Sequence, residues 1–345
     1  MNKKGVIHKK TVIFILISVL LITGIISLTQ GSVKIPVSHI AKIVAMELGA
    51  GVDEPIKPSH VFIIMNVRFP RILLSSIVGG ILAIIGVAFQ AIFKNPMADP
   101  YVMGISSGAA FGATLGIVFG FGVSFAGLSM ISGMAFVGAL VTVFIVYNMA
   151  KFGSKVSTTG ILLAGIVMNA FLSSLISLIM ILYQNDIDKI ITWTMGSFNA
   201  ASWDQVRMMA IPSVLGILYL ISRTSALNAL ALGEDEAQNL GVDVQKLKKQ
   251  TLIIASFLAA FAVSVSGIIG FVGLIIPHLL RMIFGANHKI LIPTSFIGGA
   301  LFLMGCDTLA RSIVPNMEIP VGIITSIFGG PFFFYLLYKN KRKLA

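Results

Sequence analysis

Charge is scarce in this 345-residue sequence: Asp, Glu, Lys and Arg together make up 11% of it, against about 25% in a soluble domain. Hydrophobic residues make up 57% and the mean hydropathy is +0.97, which excludes a water-soluble globule. Most of the chain is solvated by lipid or by its own helices. Acidic residues are scarcest, 13 against 25 basic. The net charge of +12 does not point to nucleic acid, because the basic residues stand in short groups between apolar runs, as membrane topology is written. The single Cys306, inside such a run, excludes an intrachain disulfide and a cysteine-built metal site. The histidines are scattered, with no H-E-x-x-H and no helix-paired ligands, so no metal is expected. There is no G-x-x-x-x-G-K-[ST] to cradle ATP, no G-x-S-x-G elbow, and no Ser/Lys or paired-Asp arrangement. Ionisable residues are nearly missing from the apolar runs, which argues against a proton pump or voltage sensor. Asp99 and Asp307 alone come near such a role.

What is present is a succession of apolar runs: Thr11–Leu28, Ile72–Phe93, Val102–Phe121, Met130–Met149, Gly160–Leu182, Met208–Ile221, Leu252–Ile269, Phe271–Phe284, Ile290–Leu309 and Val321–Tyr338. Thr11–Leu28 follows Lys3, Lys4, Lys9 and Lys10 as a signal peptide would. It is too long for a signal h-region and lacks a small-x-small cleavage site, so a retained first span is expected. Leu252–Phe284 as one helix would measure about 50 Å against a hydrocarbon core of about 30 Å. Gly267, Gly270 and Gly273 offer a break, giving about ten spans. Both termini then lie on one side, with Lys246, Lys248, Lys249, Lys339, Lys341, Arg342 and Lys343. With Lys3, Lys4, Lys9, Lys10, Lys94, Lys151, Lys155, Arg223, Arg281 and Lys289 also on that side, the smaller set (Lys34, Lys42, Lys57, Arg68, Arg71, Lys189, Arg207 and Arg311) lies on the other. The bias places the termini in the cytoplasm. Two connections are long: Thr29–Val67 outside, with an amphipathic stretch Val37–Leu48, and residues 224–250 inside. Residues 1–345 read as one transmembrane domain.

Four features stand out from the bundle. The inside loop is broken by Gly233 and Gly241; Glu234, Asp235 and Glu236 favour a helix N-terminus, and Ala237 and Leu240 form an apolar ridge. It reads either as a solvated linker or as a short helix lying in a partner's groove. In Arg68-Phe-Pro-Arg71, Pro70 suits the first turn of the second span, where two cations oppose both the macrodipole and the positive-inside bias. Headgroup anchoring is one reading, reception of carboxylates from an external partner the other. Arg311 follows Asp307 by four residues, the spacing of a local pair. Gly104, Gly108, Gly112 and Gly116 make a small-residue packing face, Gly329-Gly330-Pro331 predicts a kink, and His278 with Arg281 reads as interfacial anchoring and capping.

Arg68-Phe-Pro-Arg71, Gly80–Gly86 with Gln90, Asn95-Pro-Met-Ala-Asp-Pro100, Gly104-Ile-Ser-Ser-Gly108, Trp193-Thr-Met-Gly196, Leu232-Gly-Glu through Leu240-Gly-Val, Gly267–His278, Asp307–Arg311 and Glu318–Gly322 with Gly330-Pro331 together resemble the FecCD-type permeases of iron-siderophore, haem and cobalamin ABC importers. The likeness runs from Arg68 to Tyr338 in order, with Met97 where Leu is usual, a volume-conserving change. It implies an all-α, polytopic transmembrane bundle of type II ABC importer permease architecture. It implies a multi-pass subunit of a bacterial or archaeal cytoplasmic membrane, not itself an enzyme. The partners implied are a second permease copy or a paralogue, two cytoplasmic ATPase subunits that hold ATP and Mg, and an extracytoplasmic binding protein. The chain itself would bind no cofactor. By the same likeness, Arg68, Arg71 and Arg311 dock the binding protein, and Leu232, Gly233, Glu234, Ala237, Leu240, Gly241 and Val242 couple to the ATPase. The fifth and tenth spans, with Asn169, Ser173, Gly329, Gly330 and Pro331, line or gate the pathway. A ferric-siderophore chelate is the expected cargo. Haem or cobalamin, and more remotely an ion-driven secondary transporter or a membrane-embedded enzyme, are the rivals.

Overall fold

The computed structural model describes residues 3–31, 33, 35–47, 49, 56–120, 124–125, 128–152, 155–314 and 317–344. Lys34, Leu48 and Phe121, which belong to the expectations above, lie outside the described residues. The helices are α1 (Lys3–Thr29), α2 (Val37–Glu47), α3 (Pro58–Phe62), α4 (Phe69–Ile92), α5 (Ile105–Val118), α6 (Met130–Met149), α7 (Thr158–Leu182), α8 (Ile187–Thr194), α9 (Trp203–Ser222), α10 (Thr224–Leu230), α11 (Glu234–Asn239), α12 (Val244–Ser266), α13 (Val272–Phe284), α14 (His288–Ala310) and α15 (Val321–Leu344). Among the described residues seven helices are long and apolar enough to cross a membrane, and three shorter apolar ones complete the ten runs read from sequence. Two two-residue β ladders, after α5 and α6, are the strands among the described residues.

The second span begins earlier than expected. α3 continues through a π-helical turn, Ile63–Arg68, into α4, a single helix from Pro58 to Ile92. Pro70 therefore stands inside a helix rather than in a first turn. A mid-helix proline clashes with the carbonyl four residues back, and the wider π turn immediately before it relieves that conflict. Arg68 and Arg71 consequently do not sit at a helix N-terminus, and the macrodipole does not act against them. The amphipathic stretch after α1 is helical, as α2. Its Ile40 and Ile43 pack with Leu28, Ile64, Ile72 and Met304 in a small core at this end of the bundle.

Lipid supplies no hydrophobic force between helices, so close packing holds them. α4 is the axis: 83% of its apolar window is buried, against 11% for α1 and for α7. A Cβ on Gly86 would stand 1.8 Å from the Gly273 carbonyl oxygen of α13. Gln90, one turn on, donates to the carbonyls of Gly273 and Leu274 at 3.3 Å each. Gly79 meets Gly299 of α14 in the same backbone-to-backbone manner. The predicted glycine face of α5 packs on α6, with Gly108 against Gly138 and Thr142, and Gly112 against Met134.

The predicted break after α12 is present. Gly267 caps the helix in the left-handed region (φ +67), and α13 starts after Phe271. A broken helix within lipid must have its backbone groups satisfied by protein. Here Ser197 donates its N–H to the Ser266 carbonyl (2.8 Å), Val321 to Gly196 (3.1 Å) and Gly322 to Met195 (3.2 Å). The break, the turn after α8 and the start of α15 are thus stitched together. α8 was not foreseen: an amphipathic eight-residue helix with only Ile190 buried leaves no long apolar run in the sequence.

Gly86→Ala should destabilise the bundle by about 1–3 kcal/mol through overpacking, read as a lowered unfolding temperature in detergent. Gly305→Ala, whose added Cβ meets nothing within 4 Å, should leave that temperature unchanged or slightly raised.

Candidate functional site

Two polar assemblies lie at opposite ends of α4 and α14. At one end, Arg68, Arg71 and Arg311 converge, although the last is more than two hundred residues from the others in sequence. All three are buried, at 4%, 5% and 6% exposure, and their acceptors belong to this chain. Arg71 grips the buried Asp307 carboxylate, with Nε 3.1 and 3.0 Å from its two oxygens and Nη2 at 2.9 Å from Oδ1. Its Nη1 donates to Glu318 Oε2 at 2.8 Å, and the Glu318 side chain is 41% exposed. Arg311 keeps its expected i,i+4 relation to Asp307 at 3.8 Å, but its main donations are to the carbonyls of Ser27 and Gln30 and to Ser27 Oγ (2.6 Å). Arg68 donates to the carbonyls of Leu28 and Val33. Ser27 Oγ also bonds Thr308 Oγ1 at 2.7 Å.

These contacts have a local cause. α1 ends at Thr29, and the last carbonyls of a helix lack intrahelical donors. Arg68 and Arg311 supply those donors and place positive charge at the negative end of α1. Asp307, near the C-terminus of α14, is unfavourable by the same rule and is offset by the guanidiniums beside it. The cluster holds three cations and two carboxylates, and its one well-exposed member is Glu318.

At the opposite end lies the segment read as the coupling loop. α10 and α11 are its two short helices, broken at Gly233 (φ +149) as the sequence indicated. α11 closes in a Schellman arrangement: Val242 N–H to the Ala237 carbonyl (2.9 Å) and Gly241 N–H to that of Gln238 (2.9 Å). This requires the left-handed Gly241 (φ +81). The expected apolar ridge is corrected. Ala237 is fully buried inside the turn, and the apolar side chains offered to the surface are Leu232 (70% exposed) and Leu240 (66%). Glu234 is anchored by Lys248 of α12 at 2.6 Å and lies 3.9 Å from Lys94, just past α4. Val242 is half-buried beneath the turn. Asn228 of α10 bonds the backbone N–H of His288 at the start of α14 (2.9 Å) and its Nδ1 (2.7 Å). The platform is therefore fixed to α12, α14 and the end of α4. Lys94, Lys248, Asn228 and His288 were missed in the sequence reading because their contacts are long-range.

The expected pathway residues fall in two places. Asn169 Oδ1 accepts from Ser107 Oγ at 2.6 Å. Asn169, Ser173 and Ser177, spaced by four along α7, line a cavity of about 440 Å³ with Ser106, Thr194 and Ile268. α15 runs as one helix through Gly329, Gly330 and Pro331. A Cβ on Gly329 would stand 2.2 Å from Cγ of Phe271, so this glycine admits the Phe271 ring, whose residue is itself in the left-handed region (φ +69). Gly330 has open space around it. Broad apolar faces of α7 (Leu163, Ile166, Val167, Phe171) and α15 (Ile327, Phe328, Phe334) stay exposed.

Asp99, one of the two carboxylates that could serve an ion-driven mechanism, is a turn residue that accepts from the Tyr101 N–H at 2.8 Å. Burial pushes its carboxyl up to about 6, and that backbone hydrogen bond pulls it partly back. Among the described residues no group of three or more His, Cys, Asp or Glu is placed to hold a metal ion.

The sequence profile of the FecCD transport family matches residues 19–339. The chain is 37% identical over 326 residues to the uncharacterized ABC transporter permease YvrB of Bacillus subtilis, covering 94% of this chain and 92% of that one. It is 38% identical to the molybdate import system permease MolB of Haemophilus influenzae, covering 96% of each. It is also 38% identical to the hemin transport system permease HmuU of Yersinia pestis, covering 81% and 84%. Among solved structures, a metal-chelate type ABC transporter in an inward-facing conformation superposes with a TM-score of 0.80 at 34% identity, over 96% of this chain and 99% of that one.

Asp307→Asn leaves the buried Arg71 and Arg311 without their shared anion, and should cost about 3–5 kcal/mol of stability. Glu318→Gln, at the exposed edge, should cost about 0–1 kcal/mol. Thermal unfolding of the two purified variants side by side checks the contrast.

Proposed function

The chain belongs to the FecCD transport family, and from that premise we propose that it is the permease of an ATP-driven importer of ferric-siderophore-type chelates, working as a pair of copies. The observation that carries the reading is the α10–α11 platform. It offers Leu232 and Leu240 to the surface yet is fixed by side chains to three spans, in a chain without an ATP motif. A subunit that hydrolyses nothing must take up its driving motion somewhere, and a rigidly mounted apolar surface is what a partner's groove can push. Two ATPase subunits holding ATP and Mg engage these platforms from the cytoplasm. An extracytoplasmic binding protein delivers the chelate at the arginine end, and both chain termini are cytoplasmic.

A second copy covers the exposed apolar faces of α7 and α15, and the polar stripe Asn169–Ser173–Ser177 faces the path between the copies. ATP binding and hydrolysis move the platforms, the spans tilt about the two-fold axis, and access alternates between the two sides. No metal or cofactor is resident; the iron is cargo. Docking at Arg68, Arg71 and Arg311 is an exchange of partners: carboxylates of the binding protein take over donors now held by Glu318 and by the carbonyls at and just past the end of α1. The motif resemblance takes in haem and cobalamin permeases as well as iron-chelate ones, and a probable iron chelatin permease of Helicobacter pylori is 36% identical over 280 residues. Relatives carrying molybdate, cobalamin or haem are similar in degree.

Replacing Leu232 and Leu240 together by Asp removes the apolar contact, worth about 1.5–3 kcal/mol per fully buried leucine. It should lower ATPase capture and ATP-driven uptake by tenfold or more while the permease stays folded; normal coupling in that variant overturns the platform's role. Glu318→Gln releases one edge of Arg71 and should tighten binding-protein association a few-fold in surface-plasmon measurements. Reversal of Arg68 and Arg71 to Glu should abolish it. Unchanged association in both variants removes the arginines from docking.

A further inference from the structure

The motif Pro277-His-Leu-Leu-Arg281 has no part in the function derived so far, and its arginine has an unresolved electrostatic position. Arg281 is half-buried in the last turn of α13, and its guanidinium makes no hydrogen bond or ion pair among the described residues. The contrast with the other end of the bundle is direct: there each buried arginine has a carboxylate or several carbonyls. A partly desolvated cation without an anion costs free energy unless one arrives from elsewhere.

Three observations say from where. Successive helix residues are 100° apart, so Ile283 lies nearly opposite Arg281. Ile283 (66% exposed) and Met282 (51%) are the exposed apolar residues of this turn, which puts the lipid on their side and Arg281 on the other. Arg281 lies close enough to His288 to act on it electrostatically. His288 is 3% exposed, and its Nδ1 is 2.7 Å from Asn228 Oδ1 on α10. Since an amide oxygen only accepts, Nδ1 carries the proton, and the buried Nε2, which has no hydrogen-bond partner among the described residues, adds a second polar group at this end of the bundle. Arg281 is therefore continuous with the platform through His288 and Asn228. Finally, Glu234 of the platform is already held by Lys248, with Lys94 3.9 Å away, while Asp235 and Glu236 on α11 are exposed. Among the described residues Arg281 at α13 and Asp235 and Glu236 at α11 make no ion pair, so a partner that meets both must place opposite charges against them, which selects its orientation.

We propose that Arg281 is a second ATPase contact, beside the α10–α11 platform, and that it receives a carboxylate side chain of the ATPase subunit. This rests on the importer reading above. A guanidinium grips a carboxylate with two parallel N–H donors, so the contact fixes rotation about the platform as well as adding affinity. Motion of the ATPase then acts on α13 as well as on α10 and α14.

The test uses the whole chain in lipid nanodiscs with the ATPase subunit that co-purifies with the unaltered protein. Association is measured in zwitterionic lipid alone and with added anionic lipid, over a range of salt. Arg281→Gln should weaken the complex about tenfold in both lipids and flatten its salt dependence. Arg281→Lys, which keeps the charge and loses the fork, should weaken it about threefold. Unchanged association in both variants overturns the proposal, as does a loss confined to anionic lipid, which would assign Arg281 to a headgroup. Should Arg281→Gln lose its monodisperse elution, the Arg281→Lys comparison alone decides. If the unaltered chain captures no ATPase at all, the importer reading itself fails and this proposal with it, a result distinct from selective loss in the variants.

Discussion

Everything in this molecule depends on how closely α4 and α14 approach. Gly79 and Gly299 put the two backbones in contact, and Gly86 does the same between α4 and α13. In lipid such contacts replace the hydrophobic force that would drive packing in water. Their consequence is mechanical as well as energetic: interiors packed this densely move as units rather than deform.

The same two helices carry both functional ends. α4 holds Arg71 at one end, and Lys94, just past its other end, reaches toward Glu234 on the platform. α14 holds Asp307, with Arg311 as its cap, at one end, and receives Asn228 at His288 at the other. The glycine-locked pair is a rod joining the arginine cluster to the α10–α11 platform across the thickness of the bundle. A push on the platform is thus transmitted to the residues proposed to meet the binding protein without any flexible relay. By contrast α7 and α15 leave broad apolar faces exposed, and the junction stitched at Gly196, Gly267 and Gly322 lies beside the cavity that Asn169 and Ser173 line.

The sequence displays its spans because each is a long apolar run between turn and charge signals. The break at Gly267, the amphipathic α2 and the two pieces of the inside loop are equally visible, since glycine and acidic N-terminal turns act locally. Four things are not visible. Pro70 reads as a helix start because a π turn that accommodates it has no sequence signature. α8 is too short and too amphipathic to register as a run. The arginines read as surface charge because their acceptors come from distant segments: Ser27 is 284 residues from Arg311, and Asp307 is 236 from Arg71. Ala237 reads as part of a ridge because it is buried only after α11 folds back onto α12. The residue types were legible; their enclosure, which decides what each can do, was set by tertiary contact.

Uptake by the reconstituted importer separates an ATP-driven permease from an ion-driven one. The chain, its co-purifying ATPase and the binding protein are placed in proteoliposomes and offered radiolabelled ferric siderophore, with haem, cobalamin and molybdate as parallel cargoes. Accumulation of the ferric chelate should require ATP on the ATPase side and survive ionophores that collapse ion gradients. Accumulation that proceeds without ATP and vanishes with the ionophores would contradict the ATP-driven reading.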